Sequence, residues 1–260
     1  MPVMTVVAGV NGAGKSSRIG EDQRHNYINP DTIAKEYSQK HPDRNPLRGM
    51  KEVLRRVDTN IKNKTDFAIE TTLAGRHILN QMQSAKKAGF EVHLTYVTLD
   101  SLDRHIERVN ARVAKGGHDI PRQDIERRYR TSYKNLPRAM KMADKVNIYD
   151  NTKELRPLLK MDQGNILFES PDMPKHLKSQ IYMQGKLTLR DKLNGREVSN
   201  EVTLRRFGKK SLFTQQLEAA SKIAKQQGFD ADKTQTRFKP HPQETQKQVQ
   251  TQSLEKGLSL

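Results

Sequence analysis

Apolar residues fall into short, nearly continuous runs through the first two thirds of the chain and thin out after it. Val3 to Ala8 is short, β-branched and apolar throughout, as expected of a buried strand. A helix-compatible segment begins at Lys15. Tyr27-Ile28-Asn29-Pro30 predicts a second, short strand ended by its proline, with Asp31 opening a helix over 32–39. Leu47, Met50, Val53, Leu54, Val57 and Ile61 recur on one face of a helix over 46–62. Residues 66–70 read as a third strand, followed by a helix over 76–88 that stops at Gly89. Residues 91–99 are the most β-branched stretch and predict a fourth strand, after which Ser101 caps a helix reaching about Lys115. A break at Gly116-Gly117-His118-Asp119-Ile120-Pro121 precedes a very basic helix over 123–142, a fifth strand over 145–149 and an edge strand over 166–169. Strands and helices alternate. The expected fold class is therefore α/β, a doubly wound, mostly parallel sheet with helices on both faces and its site at the strands' C-terminal ends.

The pattern changes near Lys175. Residues 177–227 are read as helix-compatible, notably 212–224, and 232–250 are rich in Gln, Lys, Thr and Pro, a composition that predicts disorder. The expected organisation is a nucleotide-binding domain over 1–175, a basic, helical extension over 176–231 and a polar, disordered tail over 232–260. Residues 177–260 carry 16 Lys+Arg against 8 Asp+Glu, so this part alone contributes +8 of the net charge of +17. That excess, with a pI near 10.0, points to polyanionic partners without ranking them. For the basic C-terminal region the candidates are an acidic protein or a nucleic acid. The absence of cysteine excludes disulfides, thiol catalysis and Cys-ligated zinc, and suits a reducing compartment. No run approaches a membrane span, and the first apolar run leads into a glycine loop rather than a cleavage site, so a cytoplasmic location without membrane association is expected.

That loop, Gly9-Val10-Asn11-Gly12-Ala13-Gly14-Lys15-Ser16, fits G-x-x-x-x-G-K-[ST] without a mismatch, and Ser17 follows it. Its glycines let successive N–H groups turn inward on a phosphate. Lys15 is the cation for the β- and γ-phosphates, the Ser16 hydroxyl is a natural Mg²⁺ ligand, and the following helix N-terminus favours an anion. Gly9, Asn11, Gly12, Ala13, Gly14, Lys15, Ser16 and Ser17 are therefore the candidate ATP site.

Phosphoryl transfer to an alcohol needs, besides nucleotide and metal, a base near the acceptor hydroxyl and cations over the migrating charge. Asp31, just past the second strand, is either that base or an N-cap for its helix. Glu70 ends an apolar strand and projects either toward an acceptor hydroxyl or toward the Mg²⁺ water shell. Thr72 lies beside it, and Arg76 begins the next helix. Arg104, Arg108 and Arg112 share one helical face, and beyond the Gly116-Gly117 hinge come Arg122, Arg127, Arg128 and Arg130. Arginine–glycine–glycine–arginine suits a mobile lid that closes cations over the γ-phosphate. A solvated basic face accounts for most of these arginines. Arg108, Arg112 and Arg128 are the lid candidates, and His118 in the hinge is a substrate contact rather than a metal ligand.

The blocks Gly9–Ser17, Ile28–Thr32, Ile69–Thr72 and Arg108–Tyr129, in that order, resemble the zeta toxin family of phosphate-loop kinases, particularly its small bacterial branch. The resemblance covers roughly residues 1–170 and implies a P-loop kinase-like fold. It implies ATP and Mg²⁺ as cofactors and the 3′-hydroxyl of the amino sugar in UDP-N-acetylglucosamine as acceptor. It assigns the γ-phosphate lysine to Lys15, the metal hydroxyl to Ser16, the base to Asp31, and the sugar-binding acid and threonine to Glu70 and Thr72. It also implies a toxin neutralised by a separate antitoxin protein. Arg108 fits the first lid arginine of the family, and the second has several candidates, among them Arg112, Arg122 and Arg128. Polynucleotide 5′-ends, a nucleoside or an antibiotic hydroxyl are the alternative acceptors; the chain's lack of tryptophan and its 5% aromatic content offer few stacking platforms for single strands.

Overall fold

The computed structural model describes residues 1–19, 26–41, 47–190, 197–205 and 235–240, with isolated positions at 222, 226 and 228. The chain divides into two units, Met1–Leu177 and Lys178–Leu260.

In the first unit, β1 (Val3–Ala8) is followed by α1 (Lys15–Ile19), β2 (Tyr27–Ile28), α2 (Pro30–Lys40), α3 (Leu47–Asn63), β3 (Phe67–Thr71) and α4 (Arg76–Lys87). Then come β4 (Glu91–Thr98), α5 (Leu102–Val113), α6 (Arg122–Met142), β5 (Lys145–Asp150), β6 (Arg156–Asp162) and β7 (Asn165–Glu169). The seven strands run in the order β2-β3-β1-β4-β5-β6-β7. The first five are parallel; β6 and β7 extend the sheet antiparallel from β5.

Burial explains the central position of β1. Met4, Val6, Val7 and Ala8 are fully buried, as are Val92, Leu94, Tyr96 and Val97 of β4. A strand apolar on both faces is stable only where both faces are covered. The register then sets the site. Val7 lies beside Glu70 and Ala8 beside Thr71 and Tyr96, so the glycine loop and the end of β3 leave the sheet together. Ile28 lies beside Ile69, which brings the segment after β2 to the same edge.

Three features differ from the sequence expectation. Helix α2 begins two residues earlier, at Pro30, because Asn29 rather than Asp31 caps it: the Asn29 side chain accepts from the amides of Asp31 and Thr32. Strand β6 is unforeseen; its Pro157 and Lys160 break the apolar alternation, yet Leu158, Leu159 and Met161 are buried.

The third concerns the second unit. Residues 182–205 were expected to be helical and 235–240 disordered. Past α7 (Lys175–Ile181), the described residues instead form β8 (Tyr182–Arg190), β9 (Glu197–Arg205) and β10 (Gln235–Pro240), an antiparallel sheet in the order β10-β8-β9. The signal was a period of two, Met183, Gly185, Leu187 and Leu189, then Val198, Val202 and Leu204, which paucity of large apolar residues obscured. The expected helix over 212–224 falls almost wholly outside the described residues.

Candidate active site

The loop between β1 and α1 holds its shape through its glycines and two distant side chains. Gly12 and Gly14 have φ of 80° and 83°. A Cβ on Gly12 would stand 2.6 Å from the His105 carbonyl, and one on Gly14 would collide with the Asn151 amide, so neither position admits a side chain without rearrangement. Asn151, immediately after β5, donates through its side chain to the Ala13 carbonyl at 2.8 Å. His105 of α5, fully buried, meets the Asn11 carbonyl through Nδ1 at 2.9 Å. A carbonyl only accepts, so Nδ1 carries the proton and Nε2 is bare. That Nε2 is buried without a hydrogen-bond partner. Burial accordingly pushes the His105 pKa down to about 4, helped by the nearby Lys15 and Arg108 charges.

Lys15 is almost wholly buried at the base of this loop. Its Nζ donates to the Gly9 carbonyl at 2.8 Å and lies 3.6 Å from Glu70 Oε1. Burial lowers its pKa, opposed by the Glu70 and Asp31 carboxylates and reinforced by Arg112. Asp31 and Arg112 are thus both within electrostatic reach of the lysine. Glu70 is the hub of the cluster. Its Oε2 accepts from the Ser16 hydroxyl at 2.9 Å and the Tyr27 hydroxyl at 2.9 Å, with the Asn29 amide at 3.5 Å. A hydroxyl and a carboxylate in contact fit a divalent cation shared with nucleotide phosphates. Among the described residues no three His, Asp or Glu side chains gather into a cage of their own. Asp31 itself is exposed, and because Asn29 does the capping, its carboxylate is left for other work.

The lid candidates separate. Arg128 of α6 donates to the Asn11 side chain at 3.0 Å and so reaches the loop directly. Arg112 donates to the His118 carbonyl at 2.8 Å, which ties the Gly116–Pro121 segment back to α5. The Arg108 guanidinium donates to the Asn151 and Thr152 carbonyls at 2.8 and 2.9 Å. Ser17 donates weakly to the Gly14 carbonyl at 3.4 Å. Arg76 and the His118 ring are exposed and do not join the cluster; Thr72 is half-buried beside it.

Beyond Thr72, Leu73 is fully buried at φ 58°, a left-handed backbone that a leucine adopts only when its surroundings impose it. Thr71 Oγ1 accepts from its amide at 3.0 Å and the buried Asn135 of α6 donates to its carbonyl at 2.9 Å. Asn29, His105, Asn135 and Asn151 are the positions sequence reasoning missed. Each is a lone polar residue whose partner lies in another element, or beside a more conspicuous Asp; only Asn151, next to a strand end, carried a local hint.

A family model described as "Zeta toxin" matches residues 1–159. An uncharacterized protein of Haemophilus influenzae (strain ATCC 51907 / DSM 11121 / KW20 / Rd) is 32% identical over 123 residues, 46% of this chain and 88% of that protein. Among solved structures, a complex of AvrRxo1-ORF1 and AvrRxo1-ORF2 with sulphate ions aligns with a TM-score of 0.54 at 13% identity. The match covers 66% of this chain and 62% of that one. The same pair solved with ATP aligns at 0.52, also at 13% identity, over 65% of this chain and 61% of that one. At such identity the likeness concerns the fold, and the chain spans just over three fifths of those structures.

Proposed function

The chain belongs to the zeta toxin family, and on that premise we propose that it is an ATP-dependent kinase that phosphorylates the sugar 3′-hydroxyl of UDP-N-acetylglucosamine or a related UDP-sugar. The observation that carries the reading is buried Lys15 set 3.6 Å from Glu70, whose other oxygen takes the Ser16 hydroxyl at 2.9 Å, with Asp31 and Arg112 within electrostatic reach. The 9–16 loop would hold the phosphates of ATP, with Lys15 supplying the cation for their charge. Asp31 accepts the proton of the acceptor hydroxyl as its oxygen bonds to the γ-phosphorus. The bond from that phosphorus to the β–γ bridging oxygen breaks, and ADP leaves with the electron pair. Arg112 and Arg128 offset the charge on the migrating group.

Ser16 and Glu70 are the residues that would hold Mg²⁺, whose role is to neutralise the phosphate oxygens. Thr72, and through it Leu73 and Asn135, shape the acceptor side. Arg76 and His118, both exposed, are assigned to the acceptor, which they would contact once the lid segment closed over a bound nucleotide sugar. Arg108 acts by fixing the 151–152 backbone against the loop. The ATP complex of the AvrRxo1 pair supports ATP as donor, and family membership supports a toxin whose partner is a separate antitoxin.

The test is incubation of the purified chain with ATP, Mg²⁺ and UDP-N-acetylglucosamine, followed by mass and ³¹P NMR analysis. A phosphomonoester on the amino sugar is the expected product. ADP formation with an oligonucleotide end, a nucleoside or an aminoglycoside and none with any UDP-sugar would replace the acceptor and leave the kinase reading standing.

A further inference from the structure

The two faces of α6 carry opposite duties. Ile125, Ser132, Tyr133, Leu136, Ala139 and Met140 are buried along one side. On the opposite side Arg127, Arg130, Lys134, Arg138 and Lys141 are all exposed. Their intervals of three, four, four and three residues put them in one stripe. Over 14 residues the stripe runs about 21 Å along the helix.

It is unbalanced. Between residues 127 and 143 there is no Asp or Glu. Arg127 is paired with Asp124 at 2.8 Å, but among the described residues Arg130, Lys134, Arg138 and Lys141 make no ion pair. A helix face that existed only for solubility would interleave both signs and form i,i+4 pairs, as Glu52 does with Arg56 on α3. A row of unpaired like charges is destabilising to the bare protein, and a polyanion relieves it.

We propose that this face of α6 binds a nucleic-acid strand through its phosphates. A nucleic acid is favoured over an acidic protein because the stripe has no apolar centre. The large apolar side chains exposed among the described residues are Met1, Met50, Leu167 and Phe168, none of them on α6, whereas protein interfaces are built around a desolvated apolar or aromatic core. No exposed aromatic lies in the stripe either, so bases are not stacked and sequence is not read. Evenly spaced cations along a helix and a repeating phosphate charge are complementary without either. The proposal concerns the outer face alone and is independent of the kinase reading, which uses Arg128 on the inner side.

The experiment uses the full chain and fluorescein-labelled single-stranded RNA and DNA of about twenty nucleotides, with anisotropy read between about 50 and 200 mM salt. Four phosphate contacts predict a slope of log K against log salt near −3 for a single strand. The triple variant R130E/K134E/R138E is expected to weaken binding at least tenfold. The neutral triple R130Q/K134Q/R138Q should lower the slope by about 2. Melting temperature and ATP-induced thermal stabilisation serve as the control for folding and should match the wild type in both. Unchanged affinity in both triples would overturn the proposal, since the binding would then reside in other cations of the chain. Equal affinity for poly-glutamate of the same charge number would overturn it as well, in favour of an acidic polypeptide.

Discussion

At the amino-terminal end of the parallel strands, Lys86 reaches both carboxylate oxygens of Asp144 at 2.6 Å, and the same carboxylate accepts from the Val92 amide at 2.9 Å. Lys145 is paired with Glu91 at 3.1 Å, and Asp66 accepts the Val3 amide at 2.8 Å. At the carboxyl-terminal end, buried Lys15 meets Glu70 with Asp31 and Arg112 within electrostatic reach, His105 keeps a bare nitrogen in the interior, and Leu73 is held left-handed. The first end uses charge to close the fold. The second holds buried polar groups and a strained backbone in place. The same sheet thus has a structural end and a chemical end, and substitutions at the two should differ in kind.

The largest contrast comes from Lys15→Ala. With the phosphate cation gone, turnover should fall by at least about a thousandfold, roughly 4 kcal/mol of transition-state stabilisation. The melting temperature should change little, because the relief of a buried ammonium offsets the lost pair and Glu70 keeps its bonds from the Ser16 and Tyr27 hydroxyls. Steady-state kinetics and calorimetry on one preparation check both.

Next in size is acid lability at the chemical end. His105 is neutral in the folded chain down to about 4, whereas the unfolded imidazole takes up a proton below its ordinary 6.5. The unfolded state therefore binds more protons across that window. Stability is complete above pH 6.5 and falls as the pH drops toward 4, by about 3 kcal/mol from this residue. His105→Asn retains a donor for the Asn11 carbonyl and removes the titration, so its denaturation midpoint should lose most of this pH slope.

Asp144→Ala tests the structural end. It strips a buried amide and Lys86 of their acceptor and should cost about 2 to 3 kcal/mol. The kcat of the protein that remains folded should be unchanged. The smallest effect belongs to Arg104, which is exposed with Glu107 at 3.3 Å and Asp100 at 3.8 Å. Arg104→Ala should change stability by under about 0.5 kcal/mol and leave activity alone. It lies one turn before Arg108 on the same face of α5, and so separates the two arginines that hold backbone around the loop from one that meets only neighbouring carboxylates.

What the sequence made legible follows this division. The glycine loop, Asp31, Glu70 and the arginine-rich segment are local patterns in which a few adjacent residues specify the backbone and the chemistry together, and the β–α alternation ordered them on one edge. The contacts that hold them in place are not local. Asn151 reaches Ala13 across 138 residues and Arg128 reaches Asn11 across 117, so no window of sequence contains both partners. The Asn29 cap was hidden by Asp31, an equally good capping residue two positions on. Strands β6, β8 and β9 escaped for a related reason. Their apolar positions are few and are broken by Lys, Gly or Asn, so the pairing that stabilises them is visible only in the partner strand.

The central claim is that Asp31, released from capping by Asn29, accepts the acceptor's proton. Its most direct test is the rate of UDP-N-acetylglucosamine phosphorylation by Asp31→Asn, measured beside the wild type at saturating ATP and Mg²⁺. The account predicts a kcat lowered by about 10² to 10⁴, with ATP-induced thermal stabilisation intact. An Asp31→Asn protein that turns over at the wild-type rate would contradict it.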